Sequence, residues 1–251
     1  MKKTFYSILI TLLIFSNSFS QSENLGQFDD KLFHFGFALS YNNSGFNLDK
    51  RFNPLATGIN DSLQSVLVLA DHGFSLGVVT SINVNPNFKI RFVLPTLSFQ
   101  ERNIEFNYLN HSSGITSKQI KDMDATYLDF PILFKFRTNR IHNFAMYGIT
   151  GFRYGINMTS NTDVNNSSSN PSEQIIKITD TDFGTEVGGG IDLFLNYFKF
   201  GIELKLAVGM KNLLYLTPQR SLKINETPTN FDNAIESLRS RVWTLSLTFE
   251  G

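Results

Sequence analysis

Residues 199–210, KFGIELKLAVGM, alternate without a break. Phe200, Ile202, Leu204, Leu206, Val208 and Met210 fall on one side, and Lys199, Gly201, Glu203, Lys205, Ala207 and Gly209 on the other. A period of two is the period of a β-strand, so the two faces of this segment meet different surroundings. The same alternation recurs along the chain. Phe33 to Tyr41, Phe74 to Ile82, Phe88 to Leu94, Tyr127 to Arg137, Phe152 to Met158, Asp182 to Leu195 and Val242 to Phe249 all place most of their large apolar residues on one face. These runs predict eight strands. Phe144 to Gly151 is less regular, and a bulge there would restore its phase; Pro95, which lacks a ladder donor, marks a second bulge or a strand break.

The residues opposite the apolar ones decide what kind of sheet this is. A soluble sandwich would carry many Lys and Glu on its wet face. Here that face is rich in Gly, Ala and Ser, such as Gly36, Ala38 and Ser40 or Gly184, Gly188 and Gly190. Small residues suit the crowded interior of a narrow barrel, and an eight-stranded barrel is just wide enough for side chains to fill. Large Phe, Leu and Ile suit lipid, and in hydrocarbon a sheet satisfies its backbone only by closing. The expected fold is therefore all-β: an eight-stranded antiparallel transmembrane β-barrel of the outer-membrane type. Its connections alternate. Val84–Asn87, Thr138–Asn143 and Asn196–Phe198 are short turns; Asn42–His72, Gln100–Ala125, Thr159–Thr181 and Lys211–Arg239 are long loops. Turns in the periplasm, long loops outside and an even strand count would put both termini in the periplasm. Two loops carry helix-like fragments: Asp61 with Gln64 ahead of Leu63, Val66, Leu67 and Ala70, and Asn233 with Glu236.

The N-terminus supports export. Lys2 and Lys3 precede an apolar core, Ile8 to Phe15, with Ser18 and Ser20 ahead of a cut before Gln21. This reads as a signal peptide over residues 1–20, leaving one barrel domain at 21–251. After it, no apolar run is long enough for a membrane helix. The chain has no Cys, hence no disulfide, no thiol nucleophile and no Cys to carry a lipid anchor. It has 22 basic and 22 acidic residues, or 20 and 22 without Lys2 and Lys3, which does not suit a nucleic-acid partner.

Charged residues on the small-residue face point into the lumen. Lys89 and Arg91 follow the first short turn, Asp129, Lys135 and Arg137 lie before the second, Asp192 before the third, and Glu203 and Lys205 after it, with Glu186 nearer mid-barrel. The third and seventh runs stand opposite each other in a ring of eight, so the basic group should face Glu186, Asp192 and Glu203. Buried charges must be paired, so this set is expected to be a structural network that plugs the barrel. Arg102, Arg239 and Arg241 lie near loop ends and are candidate partner contacts, with snorkelling to lipid headgroups the plainer role, above all for Arg241.

Catalytic constellations are nearly absent. His34, His72, His111 and His142 show no metal-ligand spacing, and Gly188–Gly190 sits inside a strand run, which suggests close backbone packing. One pattern, His111 and Ser113 with Glu105 upstream, would suit an outer-membrane lipid-modifying enzyme, but LNHSSG reads more simply as a polar loop tip. No enzymatic activity, cofactor or metal is expected.

Several segments resemble a known family. They are FHFGFALSYNNSGFNL (Phe33 to Leu48), PTLSFQERNIEF (Pro95 to Phe106), Tyr127 to Met158, Glu186 to Leu214 and the ending SLRSRVWTLSLTFE (Ser237 to Glu250). Together they resemble PorT, called SprT in gliding relatives, the outer-membrane barrel of the Bacteroidota type IX secretion system. The resemblance implies a role in moving cargo with a C-terminal signal across the outer membrane, with other secretion-system proteins as partners and membrane lipid around the barrel. A barrel too narrow to conduct protein would act by docking or assembly. The alternative from a different class is a surface barrel for adhesion or envelope structure.

Overall fold

The computed structural model describes residues 23–51, 63–110, 114–164, 166, 170, 173–216 and 229–251. The expected signal peptide at 1–20 lies outside these residues. Nine strands are present: β1 (Phe33–Lys50), β2 (Leu63–Asn85), β3 (Phe88–Asn110), β4 (Ile115–Asp122), β5 (Ala125–Arg137), β6 (Phe144–Asn157), β7 (Thr181–Phe194), β8 (Lys199–Gly209) and β9 (Ile235–Glu250). All pair antiparallel. The pairing runs β1–β2–β3–β5–β6–β7–β8–β9 and returns from β9 to β1, which makes a ring-like sheet. Among the described residues β4 pairs only with β3, along its outer half from Asn103 to Asn110. No described helix is long and apolar enough to cross a membrane, and the apolar surface is carried by strands.

The sheet has the polarity of a soluble protein turned outward. Phe35 is 62% exposed and Phe37 51%, while Arg91, Lys135, Asp192 and Lys199 are 0% exposed. In β6 the alternation is unbroken from Ala145 to Asn157, with Met146, Phe152, Tyr154 and Ile156 outside and Tyr147, Ile149 and Arg153 inside. The bulge expected between Phe144 and Gly151 is not there, because β6 keeps one register against both neighbours. Its effect is to bring the large residues Tyr147 and Ile149 into the lumen. At Pro95 the register of β3 against β5 does shift, between Phe92 and Thr96.

The strands are longer than their alternating cores, which shortens the expected loops. β1 continues to Lys50 and β2 begins at Leu63, so the helix expected from Asp61 to Ala70 is a strand wherever it is described. The physical reason is that β3 offers a ladder to this segment, with Ser65↔Asn107 through Ala70↔Arg102 in register and a shift between Leu63 and Ser65. Val66 and Val68 then turn inward at period two, while Leu67 and Leu69 face out. The expected loop Gln100–Ala125 is mostly the β3–β4 hairpin. The second helix fragment is a short helix, α1 (Asn230–Ala234), but its cap is not Asn233 with Glu236. Thr229 and Asp232 form the capping box instead, and Glu236 is already exposed on β9.

These extensions raise one side of the barrel into a wall of β9, β1, β2, β3 and β4. It is closed over by an apolar cluster that includes Phe46, Val66, Ile104, Phe106, Ile176, Leu213, Leu214 and Phe231. The other end is compact. Asn85 Oδ1 accepts from the backbone N–H of Asn87 (3.0 Å) and Phe88 (2.7 Å), tightening the β2–β3 turn.

A sheet closed in this way resists detergent until heated. The purified chain should therefore migrate at two positions on a gel, one unheated and one boiled. A single mobility under both conditions would count against a closed barrel.

Candidate functional site

The lumen holds the chemistry of this molecule, in layers. At the turn end, residues Asn24 to Lys31 fold back across the mouth. Phe28 is buried, stacked on His34 with ring centroids 3.7 Å apart and edge-on to Phe194 at 5.9 Å. The ammonium groups of Lys199 and Lys89 lie 4.8 and 5.5 Å from the centre of its ring. Asp29 accepts from Lys89 Nζ at 2.9 Å and from Arg137 at 2.9 and 2.7 Å. Burial works against its charged form, but the hydrogen bonds from Arg137 and Lys89 outweigh it and hold the carboxyl at about 2 instead of 3.8.

The middle layer is centred on Arg91. From β3 its guanidinium spans the ring to Glu203 on β8, an ion pair with both side chains 1% exposed. It also donates to Glu250 Oε1 on β9 at 2.5 Å. Glu250 in turn accepts from Lys199 Nζ at 2.9 Å and from Ser81 Oγ at 3.0 Å. Tyr147 donates to Glu203 at 2.8 Å, and its ring lies 3.4 Å from the ammonium of Lys135, which binds Asp192 at 2.8 Å. Gly190 makes room for this tyrosine: a Cβ there would sit 2.6 Å from the Tyr147 hydroxyl oxygen. The Gly188–Gly190 run thus gives the close packing its sequence suggested.

Nearer the loop end, Arg153 pairs with Asp182 at 2.5 Å and Asp129 at 3.4 Å, and Lys205 with Glu186 at 3.5 Å. A polar cavity of about 50 Å³ lies between these layers, lined by Asn42, Gln100, Glu186 and Glu203 among others. That is room for a few water molecules.

Every lumen charge expected from the sequence faces inward, but the partners differ in part. Arg91–Glu203 is a cross-lumen pair of the expected kind, and Lys135 meets the expected Asp192, but from two strands away along the wall instead of across the lumen. Lys89 and Arg137 instead meet Asp29, which belongs to no alternating run and gave no sequence signal. Glu186 meets Lys205, and Asp129 meets Arg153. Glu250, Lys199, Asp182 and Arg153 were legible by parity, since each lies on the small-residue face of its strand.

The candidate contact residues separate. Arg102 is fully buried, donating to Gln100 Oε1 at 2.6 Å and lying against Phe46 and Tyr127 at 4.6 and 5.3 Å. It is a lumen residue and not a surface contact, because β3 continues past the expected loop boundary and turns it inward. Arg239 and Arg241 are exposed on the outer face of β9. His111 and Ser113 lie outside the described residues, while Glu105 is taken up by Lys118 at 2.6 Å and Asn107 at 2.9 Å. Among the described residues no group of His, Asp and Glu could hold a metal ion.

A family model described as an outer membrane protein beta-barrel domain matches residues 19–215. The chain belongs to this family. It is an outer-membrane β-barrel protein, and its apolar belt and paired lumen charges are the physical form of that assignment. No curated protein matches it in sequence. Among solved structures, OprG from Pseudomonas aeruginosa is similar over 87% of this barrel and 93% of its own chain, at 13% identity and a TM-score of 0.44. Ail, the attachment invasion locus protein of Yersinia pestis, is similar over 88% of this barrel and 100% of its own chain. Its identity is 10%, with TM-scores of 0.38 in complex with the heparin analogue sucrose octasulfate and 0.37 without it.

Two expectations follow. Arg91→Met strands Glu203, whose one ion pair among the described residues is with Arg91, and should cost about 3–5 kcal/mol. Adding Glu203→Gln should recover part of that loss in urea unfolding; equal midpoints for parent and Arg91→Met would remove the network idea. Asp29 has a lower carboxyl pKa docked than free. Its contribution is therefore complete above about pH 4 and lost as pH falls towards about 2. A nitroxide on a Gln27→Cys variant should stay immobile at neutral pH and loosen across that interval, whereas an added Asp29→Asn should loosen it at neutral pH already.

Proposed function

We propose that this barrel is a non-conducting accessory component of a type IX protein-secretion machine, working by docking or assembly. In this reading eight strands form the transmembrane ring, both termini lie in the periplasm, and β4 belongs to the outside wall. Lipid surrounds the apolar belt, other secretion-system proteins bind the rims, and the chain catalyses nothing. The observation that carries the reading is the filled lumen. The Arg91–Glu203 and Arg91–Glu250 contacts cross it, and Phe28 and Asp29 stop one end. A barrel blocked at two levels must act through its surfaces. The PorT-like segments named above supply the secretion context, and Arg239 and Arg241 on the outer face of β9 are the surface residues proposed for contacts.

A second reading, a barrel for adhesion or envelope structure, draws on the tall wall of β9, β1, β2, β3 and β4. The two part on one experiment: the secreted proteome of a clean deletion strain with a complemented control. Loss from the medium of cargo carrying the C-terminal signal, with that cargo trapped in the periplasm, is expected. Unchanged secretion with altered attachment or a leaky envelope would select the second reading.

A further inference from the structure

The turn-end mouth is built like a peptide site whose occupant is the chain's own N-terminal segment. Its walls read that segment in two ways. Backbone atoms are read by side chains of the barrel: Asn83 Nδ2 donates to Lys31 O at 2.8 Å, Asn143 Oδ1 accepts from Asn24 N–H at 2.8 Å, and Arg140 donates to Leu25 O at 3.3 Å. Such contacts tolerate many sequences. Identity is read at two adjacent positions. Phe28 enters a slot of His34, Phe194, Lys89 and Lys199, and Asp29 bridges Lys89 and Arg137.

Further contacts to the walls are again to its first residue and to its backbone: Asn24 Nδ2 donates to Phe194 O at 3.0 Å, Arg140 donates to Asn24 O, and Asn83 Nδ2 donates to Asp29 O at 3.4 Å. Residues 24–31 pair with no strand, and their internal backbone bonds are local turns, Phe28 N–H to Leu25 O at 2.9 Å and Asp30 N–H to Gln27 O at 3.3 Å. The mouth, by contrast, requires a carboxylate. Lys89 and Arg137 are 1% and 2% exposed at their side chains, and among the described residues Asp29 is the one carboxylate paired with either. Buried cations left without an anion are costly, so an emptied mouth would favour any segment that restores one. Backbone contacts plus a few side-chain pockets are a known way to recognise a peptide, and here they hold a segment folded in turns.

We propose that this mouth is a binding site for a partner's short peptide bearing an aromatic residue followed directly by a carboxylate, with Phe28–Asp29 occupying it in cis until displaced. The site goes beyond the docking reading and does not depend on which secretion or envelope task the barrel serves.

The test uses the purified, detergent-folded barrel and a synthetic peptide of residues 24–31, NLGQFDDK. The chain has no Cys, so Gln27→Cys takes a single nitroxide. Excess peptide should mobilise this label in the otherwise unaltered barrel. Peptides carrying Phe28→Ala or Asp29→Asn should not. A Phe28→Ala/Asp29→Ala barrel, checked for folding by its unheated gel mobility, should bind fluorescent peptide saturably and at least tenfold more tightly than the parent. An immobile label at every peptide concentration, or equal response to a scrambled peptide, would overturn the proposal. The label experiment decides the matter on its own if the double variant fails to fold.

Discussion

A sheet placed in hydrocarbon has to satisfy each backbone N–H and C=O within itself, and closure of the ring is the way it does so. The β9–β1 seam completes that closure, with fifteen aligned positions from Gly36↔Glu250 to Lys50↔Ile235. Everything else about the molecule follows from having an inside and an outside fixed by one periodicity. Large apolar side chains go to lipid because lipid accommodates any shape. The inner face is left with glycine, small polar residues and charges, and those charges, shut away from water, must find one another. The filled lumen is thus a by-product of closing a narrow ring as much as a device of its own.

Much of this was legible in the sequence, and the reason is the simplicity of period two. Parity assigned Lys89, Arg91, Lys135, Asp192 and Glu203 to the lumen, and the same parity along β9 from Val242 to Thr248 reaches Glu250. What parity could not supply was strand length. Beyond the belt both faces of a strand can meet water or protein, so the alternation relaxes, and Asn42–Lys50, Leu63–His72 and Arg102–Asn110 read as loop. The same loss of signal made Arg102 look like a surface residue and made Val66 and Leu67 look helical. Tyr147 was hidden differently: a large aromatic among inward residues suggested a bulge, whereas Gly190 opposite it removes the crowding.

Asp29 was the one partner with no local signature, since it precedes the first alternating run. Its recruitment shows how a barrel wall can leave a charge deficit for another part of the chain to fill. Lys89 and Arg137 stand on β3 and β5 with no carboxylate partner on the wall among the described residues. The segment before β1 both gives them a shared anion and closes the turn end, so charge compensation and occlusion come from the same two residues, Phe28 and Asp29.

Glu250 occupies the penultimate position of the chain, yet it touches Arg91 on β3 and Lys199 on β8. The two cations are in place as soon as their own strands are formed, but their shared anion arrives only when the last strand swings in to meet the first. Arg91 also has Glu203 on β8, so among the described residues Lys199 is the cation whose ion pair waits for the last strand, and sealing the seam supplies it. The final strand works as a keystone that is read electrically: it brings the carboxylate that Arg91 and Lys199 share.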